Sequence, residues 1–204
     1  MIVVLEMGNV GSIVNMLKKI GEKAIVSDND EVIQSADKMI LPGVGSFDVG
    51  MAWLNASGLA EKIRRHAILA GKPLLGICLG MQMLGQSSEE GQTAGLGLIP
   101  FQTRRFRMDP ENSGLKIPHM GWDVVSFTKK DSPLLYGLTE PQRYYFVHSY
   151  HAVCDNEDNL LMTCDYGYTF AAAVQKDHIY GVQFHPEKSH HFGMALLKNF
   201  VERC

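Results

Sequence analysis

No apolar run in the sequence approaches the roughly 20 residues that a membrane-spanning helix needs, and the N-terminus lacks the basic-then-apolar pattern of a secretory leader. The cytoplasm is therefore the expected location, with no membrane as partner. Cysteine is scarce. Cys78, Cys154, Cys164 and Cys204 show no Cys-x-x-Cys spacing, which excludes a zinc ribbon or dense disulfide framework and leaves free thiols in a reducing compartment. Charge of one sign is also missing: the net charge is −3, which argues against nucleic acid as a partner. Basic pairs are scattered, and the densest group, Arg104, Arg105 and Arg107, reads as a solvated face. No repeat, low-complexity tract or clean linker divides the 204 residues, so one domain over 1–204 is expected.

What the chain does have is alternation of strand and helix patterns. Ile2 to Leu5 is a continuous apolar run that suits a strand covered on both faces. The spacing predicts a helix from Ser12 to Ile20, with Ser12 as N-cap, a strand over Ala24 to Val26, a short helix over Glu31 to Ala36 and a strand over Lys38 to Leu41. Helices are expected around Asp48 to Asn55 and Leu59 to Leu69, then a strand after Pro73. Such βαβ order implies an open parallel sheet, whose ligands bind beyond the carboxyl ends of the strands. Ser87 to Gly97 and Asp109 to Gly114 read as surface loops. Strand-like runs dominate afterwards, at Val124 to Phe127, Tyr144 to Val147, Leu160 to Cys164, Ala171 to Gln175 and Ile179 to Phe184, before a final helix over Phe192 to Val201.

Chemistry concentrates in Pro73-Leu74-Leu75-Gly76-Ile77-Cys78-Leu79-Gly80-Met81-Gln82. Glycines flanking Cys78 fit a tight strand-to-helix turn that leaves no room for Cβ atoms and presents the thiol. A catalytic cysteine needs a base, and the base needs an orienting group. His185-Pro186-Glu187 follows the strand Tyr180 to Phe184, so His185 should stand at the same sheet edge as Cys78, with Glu187 reaching its far nitrogen. Cys78, His185 and Glu187 form the candidate triad. His190 and His191, beside His185, match no zinc spacing, and no metal or other cofactor is called for. His119, His148 and His151 carry no signal singly, although His148 and His151 bracket Ser149-Tyr150.

Three blocks, Leu41-Pro42-Gly43-Val44-Gly45-Ser46-Phe47, Gly76-Ile77-Cys78-Leu79-Gly80-Met81-Gln82 and Gln183-Phe184-His185-Pro186-Glu187-Lys188, resemble the signatures of class I (triad) glutamine amidotransferases. Lys116 to Trp122 and Tyr145 to Tyr150 narrow the resemblance to the glutaminase-subunit family of imidazole glycerol phosphate synthases, over essentially the whole chain. The resemblance implies a flavodoxin-like α/β fold, a mixed and mostly parallel sheet flanked by helices, with an additional smaller antiparallel sheet. It implies hydrolysis of L-glutamine through a thioester on Cys78, with the ammonia passed to a separate TIM-barrel cyclase. By similarity, Val44, Gly45 and Leu79 supply oxyanion donors, and Gly45, Gln82, Glu90, Ser149 and Tyr150 hold glutamine. Asn9, Met120, Trp122, Asp123, Tyr145 and Lys188 match the docking surface. The chain departs from the family where Val4-Leu5-Glu6 replaces Asp-Tyr-Gly and where Asp123 stands for the common Asn. Its tail, with Ser189-His190-His191, and His151 also resemble variants that supply ammonia to a surface-sugar amidotransferase. A binding module that keeps the fold without catalysis is the reading of another class.

Overall fold

The computed structural model describes residues 1–108 and 114–204. The loop expected over Asp109 to Gly114 therefore lies, Gly114 excepted, outside the described residues. In chain order the elements are β1 (Ile2–Val4), α1 (Val10–Lys19), β2 (Ala24–Val26), α2 (Asp30–Ser35), β3 (Lys38–Leu41), α3 (Phe47–Ala56) and α4 (Leu59–Arg64). There follow β4 (Leu74–Ile77), α5 (Leu79–Met83), β5 (Ser87–Ser88), β6 (Phe101–Arg105), β7 (His119–Phe127), β8 (Gln142–His148) and β9 (Tyr150–Cys154). β10 (Leu160–Tyr166), β11 (Tyr168–Lys176), β12 (Ile179–Val182) and α6 (His190–Arg203) complete them.

Among the described residues the strands form one sheet of twelve, in the order β2-β1-β3-β4-β12-β11-β10-β7-β8. The half from β2 to β12 is parallel, and from β12 onward the pairs are antiparallel. The smaller antiparallel part is a branch in which β6 pairs β9, and β9 meets β11 at the single pair Ala171↔Ala152. The apolar run of β1 behaves as its continuity predicts. Ile2 and Val4 pack into one core with Leu17 and Phe200, while Val3 and Leu5 pack into the other with Phe47 and Ile63. Alternate side chains of a strand point to opposite faces, so helices must cover both.

Some boundaries differ from the sequence reading. α1 begins at Val10, with Asn9 in the capping position, and the Ser12 hydroxyl donates to Asn9 Oδ1 at 3.2 Å instead of capping the helix. The turn at Gly8, with φ of 85°, starts the helix two residues early. The helix expected over Leu59 to Leu69 is α4 followed by a π turn over Arg65–Leu69, closed by the Ala70 N–H on the Arg65 carbonyl. β6 and β9 had no apolar run to announce them: in β6 only Phe101 and Thr103 are buried. Arg104 and Arg105 lie on this strand, and Arg107 beyond it pairs with Glu89 at 2.9 Å, so the basic group is partly neutralised at home.

One of the two tightest backbone approaches at a glycine among the described residues lies beneath the turn after β4, the other being at Gly193. A Cβ on Gly80 would sit 1.8 Å from the Leu41 carbonyl oxygen, and one on Gly76 would sit 2.8 Å from the backbone of Met81. Gly80→Ala is expected to destabilise the chain by about 3 kcal/mol or more, because rigid backbone must move. Gly11→Ala, in α1 with open space around its Cβ, should instead be neutral or stabilising by up to about 1 kcal/mol. Denaturant unfolding of both variants checks the contrast, and equal stability of the two would contradict it.

Candidate active site

The pairing of β4 with β12 brings the two chemistry-bearing turns together. The strands are parallel and in register, Gly76 opposite Gly181 and Ile77 opposite Val182. Both therefore end at one edge, Cys78 directly after β4 and His185 three residues after β12. The Cys78 N–H extends the ladder by donating to the Val182 carbonyl at 2.8 Å. Cys78 itself adopts φ 55° and ψ −113°, a backbone state that a residue with a Cβ holds only when its surroundings impose it. The close packing at Gly76 and Gly80 imposes it here.

His185 is fixed at both ends. Its backbone N–H donates to the Tyr145 carbonyl at 2.9 Å, and its carbonyl accepts from the Ser189 hydroxyl at 2.6 Å. Pro186 opens a short 3₁₀ turn, Pro186–Lys188, that folds Glu187 back on the ring, with Oε1 2.7 Å from Nδ1. The Glu187 side chain is 2 % exposed. The Nε2 atom is buried without a hydrogen-bond partner of good geometry among the described residues, and turns toward the Cys78 side of the site. Burial works against charge on this ring. The Cys78 sulfur and then the Glu187 carboxylate outweigh it and raise the pKa to about 9, which favours the charged ring. Burial raises the other thiols and favours their neutral form, Cys154 and Cys204 up to about 11 and Cys164 to about 12.

A cavity of about 350 Å³ opens over the thiol. Cys78, His185, Val44, Gly45, Leu79, Gln82, Glu90, Ser149 and Tyr150 all line it, as do Lys188 and His148. Every residue expected to bind glutamine or an oxyanion is thus gathered at one place. Glu90 is not a free loop acid: Oε2 accepts from the Phe47 N–H at 2.8 Å, at the start of α3. Asp48 likewise accepts from the Gln92 and Thr93 N–H groups, so the segment read as a surface loop is pinned to the site. The Pro42 to Gly45 turn lies against the elbow, because a Cβ on Gly43 would meet Gly80 N at 2.7 Å. Gly45 has φ of 92°, Val44 is 52 % exposed, and a Cβ on Gly8 would come within 3.1 Å of the Val44 side chain.

The residues expected at a docking face fall outside the cavity, except Lys188. Trp122 pairs with Tyr145 and Met120 with Val147 across β7 and β8. Met120 is 61 % exposed, Asn9 is exposed, and Lys188 Nζ lies 5.8 Å from the centre of the Tyr145 ring. Trp122 stacks on His190 with rings 5° from parallel. One residue of the site was given no role by the sequence reading, and another, His148, was marked only as a neighbour of Ser149-Tyr150. Gln183, fully buried, directs Nε2 to Cys78 Sγ at 3.8 Å and accepts from Gln82 Nε2 at 3.0 Å. A polar residue in the apolar run Tyr180 to Phe184 was its signal. His148 continues the inward face of Tyr144 and Phe146, and a histidine at that period was the signal there.

Residues 3–204 match the family model described as glutamine amidotransferase class-I. The chain is 50 % identical over 204 residues to imidazole glycerol phosphate synthase subunit HisH 2 of Pseudomonas aeruginosa, covering 99 % of each. It is 52 % identical over 198 residues to the protein of the same name from Methanococcus maripaludis, covering 97 % of this chain and 96 % of the other. Among solved structures, a chain of PurLQS from Thermotoga maritima superposes with a TM-score of 0.75 at 18 % identity, over 98 % of this chain and 96 % of that one. The glutaminase domain of Trypanosoma brucei CTPS gives 0.65 at 15 %, over 100 % and 94 %, and these two likenesses concern the fold alone. With the cysteine elbow, the histidine and the carboxylate assembled in one cavity and the match running over nearly its whole length, the chain belongs to the class-I glutamine amidotransferases.

Proposed function

We propose that the chain hydrolyses L-glutamine to glutamate and ammonia and passes the ammonia to a separate cyclase with a TIM-barrel fold, for imidazole glycerol phosphate synthesis in the cytoplasm. The observation that carries the chemistry is Cys78 on a strained turn, facing an imidazole that Glu187 holds at 2.7 Å. The Cys78 thiolate adds to the side-chain amide carbon of glutamine, and the oxygen takes the negative charge. The Leu79 N–H and one from Val44 or Gly45 receive that oxygen, once the turn aims it. Imidazolium His185 gives its proton to the amide nitrogen, ammonia leaves and a γ-glutamyl thioester remains. Neutral His185 then takes a proton from water as the water attacks, and collapse releases glutamate and restores the thiolate and imidazolium. Gly45, Gln82, Glu90, Ser149 and Tyr150 hold the amino-acid end of the substrate. The highly similar proteins named as synthase subunits support the acceptor.

Ammonia becomes ammonium in water at neutral pH, so a closed handover to the synthase preserves its reactivity. Asn9, Met120, Trp122, Asp123, Tyr145 and Lys188 form the docking face. The nearness of the Gly8 turn to the Val44 side chain, which a Cβ on Gly8 would meet at 3.1 Å, gives a docked partner a lever on the oxyanion turn. A second reading, supply to a surface-sugar amidotransferase, draws on the tail Ser189-His190-His191 and on His151, and on Asp123, which alters that face, whereas Val4 and Leu5 are buried in the core. Mixing the chain with a histidine-pathway cyclase and its nucleotide substrate separates them. A complex and a large rise in glutamate release are expected, and neither would appear if the acceptor is a sugar enzyme.

The thiol assignment has its own check. A glutamine analogue carrying an electrophile should label Cys78 and spare Cys154, Cys164 and Cys204, read by peptide mass mapping; label on any of those three would refute it. Catalysis that needs imidazolium His185 should fall as pH rises through about 9. Glu187→Gln removes a group that raises this pKa, so the basic limb of kcat/KM should move to lower pH, with kcat reduced on the order of 10²- to 10⁴-fold. An unmoved limb would show that Glu187 does not set the protonation of His185.

A further inference from the structure

A second polar constellation lies behind the cavity. His119, 1 % exposed, stacks between Tyr166 and Phe146 with ring centroids 3.9 and 4.9 Å away. Its Nε2 faces Asp123 Oδ2 at 2.7 Å, and its Nδ1 faces His148 Nε2 at 3.2 Å. His148 Nδ1 in turn faces the Tyr150 carbonyl oxygen at 2.8 Å. That oxygen also accepts from Gln82 Nε2 at 3.2 Å, Gln82 donates to Gln183 Oε1, and Gln183 Nε2 reaches Cys78 Sγ. One polar path therefore joins Asp123, whose side chain is 40 % exposed, to the nucleophile.

Counting protons along this path fixes its behaviour. The two ends at the histidine section, the Asp123 carboxylate and the Tyr150 carbonyl, only accept, so the three links between them need three protons. Two neutral imidazoles bring two. Burial pushes the His148 pKa down to about 3 and lowers that of His119 despite Asp123, so the third proton is absent near neutral pH. The other titratable groups facing these rings are Tyr166, whose hydroxyl donates to the Lys116 carbonyl, and His151 and His185 beside His148; Cys164 lies near Asp123. None of them delivers a proton into the path. A charged acceptor makes the stronger hydrogen bond, so Asp123 takes the single His119 proton on Nε2. The lone pairs of His119 Nδ1 and His148 Nε2 then oppose each other, and that link, the longest of the three, is open.

We infer that Asp123 and His119 are positioning residues for the glutamine cavity, acting through His148 on the Tyr150 carbonyl, with Asp123 holding the path in its open state. The inference rests on the glutaminase reading for its kinetic consequence and on the ring geometry for its physical one. An amide at position 123 reverses the proton direction. In Asp123→Asn the side-chain N–H donates to His119 Nε2, the proton moves to Nδ1, and Nδ1–H donates to His148, which closes every link with two neutral imidazoles.

The test is nitrogen NMR of the histidine rings at pH 7.5, with steady-state kinetics of the complex. Wild-type His119 should be the Nε2–H tautomer and the Asp123→Asn chain the Nδ1–H tautomer; one tautomer in both would overturn the inference. Closing the link should lower KM for glutamine by about two- to tenfold with kcat little changed, the size of one hydrogen bond. In a His119→Phe background, which keeps the stack and removes the path, the Asp123→Asn step should lose its effect on KM. The same KM change there would place the effect in docking and overturn the assignment. The spectra need no turnover, so a wild-type complex that releases no glutamate would defeat the glutaminase reading and leave the tautomer result standing.

Discussion

The in-register parallel pairing of β4 with β12 is the constraint on which the rest depends. It sets Cys78 and His185 at the same sheet edge, and the hydrogen bond from Cys78 N to the Val182 carbonyl ties the elbow to the neighbouring strand. Glycines 76 and 80 let the chain turn back beneath that bond, where any side chain would strike backbone of β3 or α5. The strain at Cys78 is thus held by packing on every side, which is how a fold maintains a backbone state costing on the order of 1–3 kcal/mol. The thiol stays where the imidazole can use it.

Around that fixed pair the electrostatics are divided by burial. His185 is buried yet favoured as a cation, because a sulfur and a carboxylate face its two sides. His119, His148 and His151 are pushed toward neutrality because desolvation, the largest influence on each, outweighs what partners such as Asp123 at His119 and Glu89 near His151 return. Two histidine groups, neighbours in space where His148 faces His185, therefore serve opposite ends. One holds the proton that the proposed hydrolysis gives to its leaving group, and the other spans strands β7, β8 and β9 through close polar approaches whose bonding depends on where few protons sit. The same contrast keeps three of the thiols inert while the elbow cysteine faces the cavity.

Much of this was legible in the residues. Continuous apolar runs marked β1, β3 and β4 as strands covered on both faces, and Gly76-x-Cys78-x-Gly80 marked the elbow because only a crowded turn asks for glycine on both sides. His185-Pro186-Glu187 was readable for a similar local reason: proline stops the strand and returns the carboxylate to the ring. What escaped was set by contacts far apart in sequence. β6 and β9 are short, half-polar strands stabilised by pairing with each other, so periodicity alone left β6 unannounced and β9 hidden behind Ser149-Tyr150. Glu90 was assigned by similarity alone, and its local reason, the backbone N–H that α3 offers it, comes from a contact far away in sequence, while His119 and His148 meet only because β7 and β8 pair residue 119 with residue 148.

The central claim is that Cys78 carries the glutamyl group between the departure of ammonia and the arrival of water. Acid quenching of the partner complex during turnover of isotopically labelled glutamine, followed by peptide mapping, tests it most directly. The account predicts a hydroxylamine-sensitive glutamyl label on the peptide containing Cys78. Glutamate released at full rate with no such intermediate, or with the label on another residue, would contradict it.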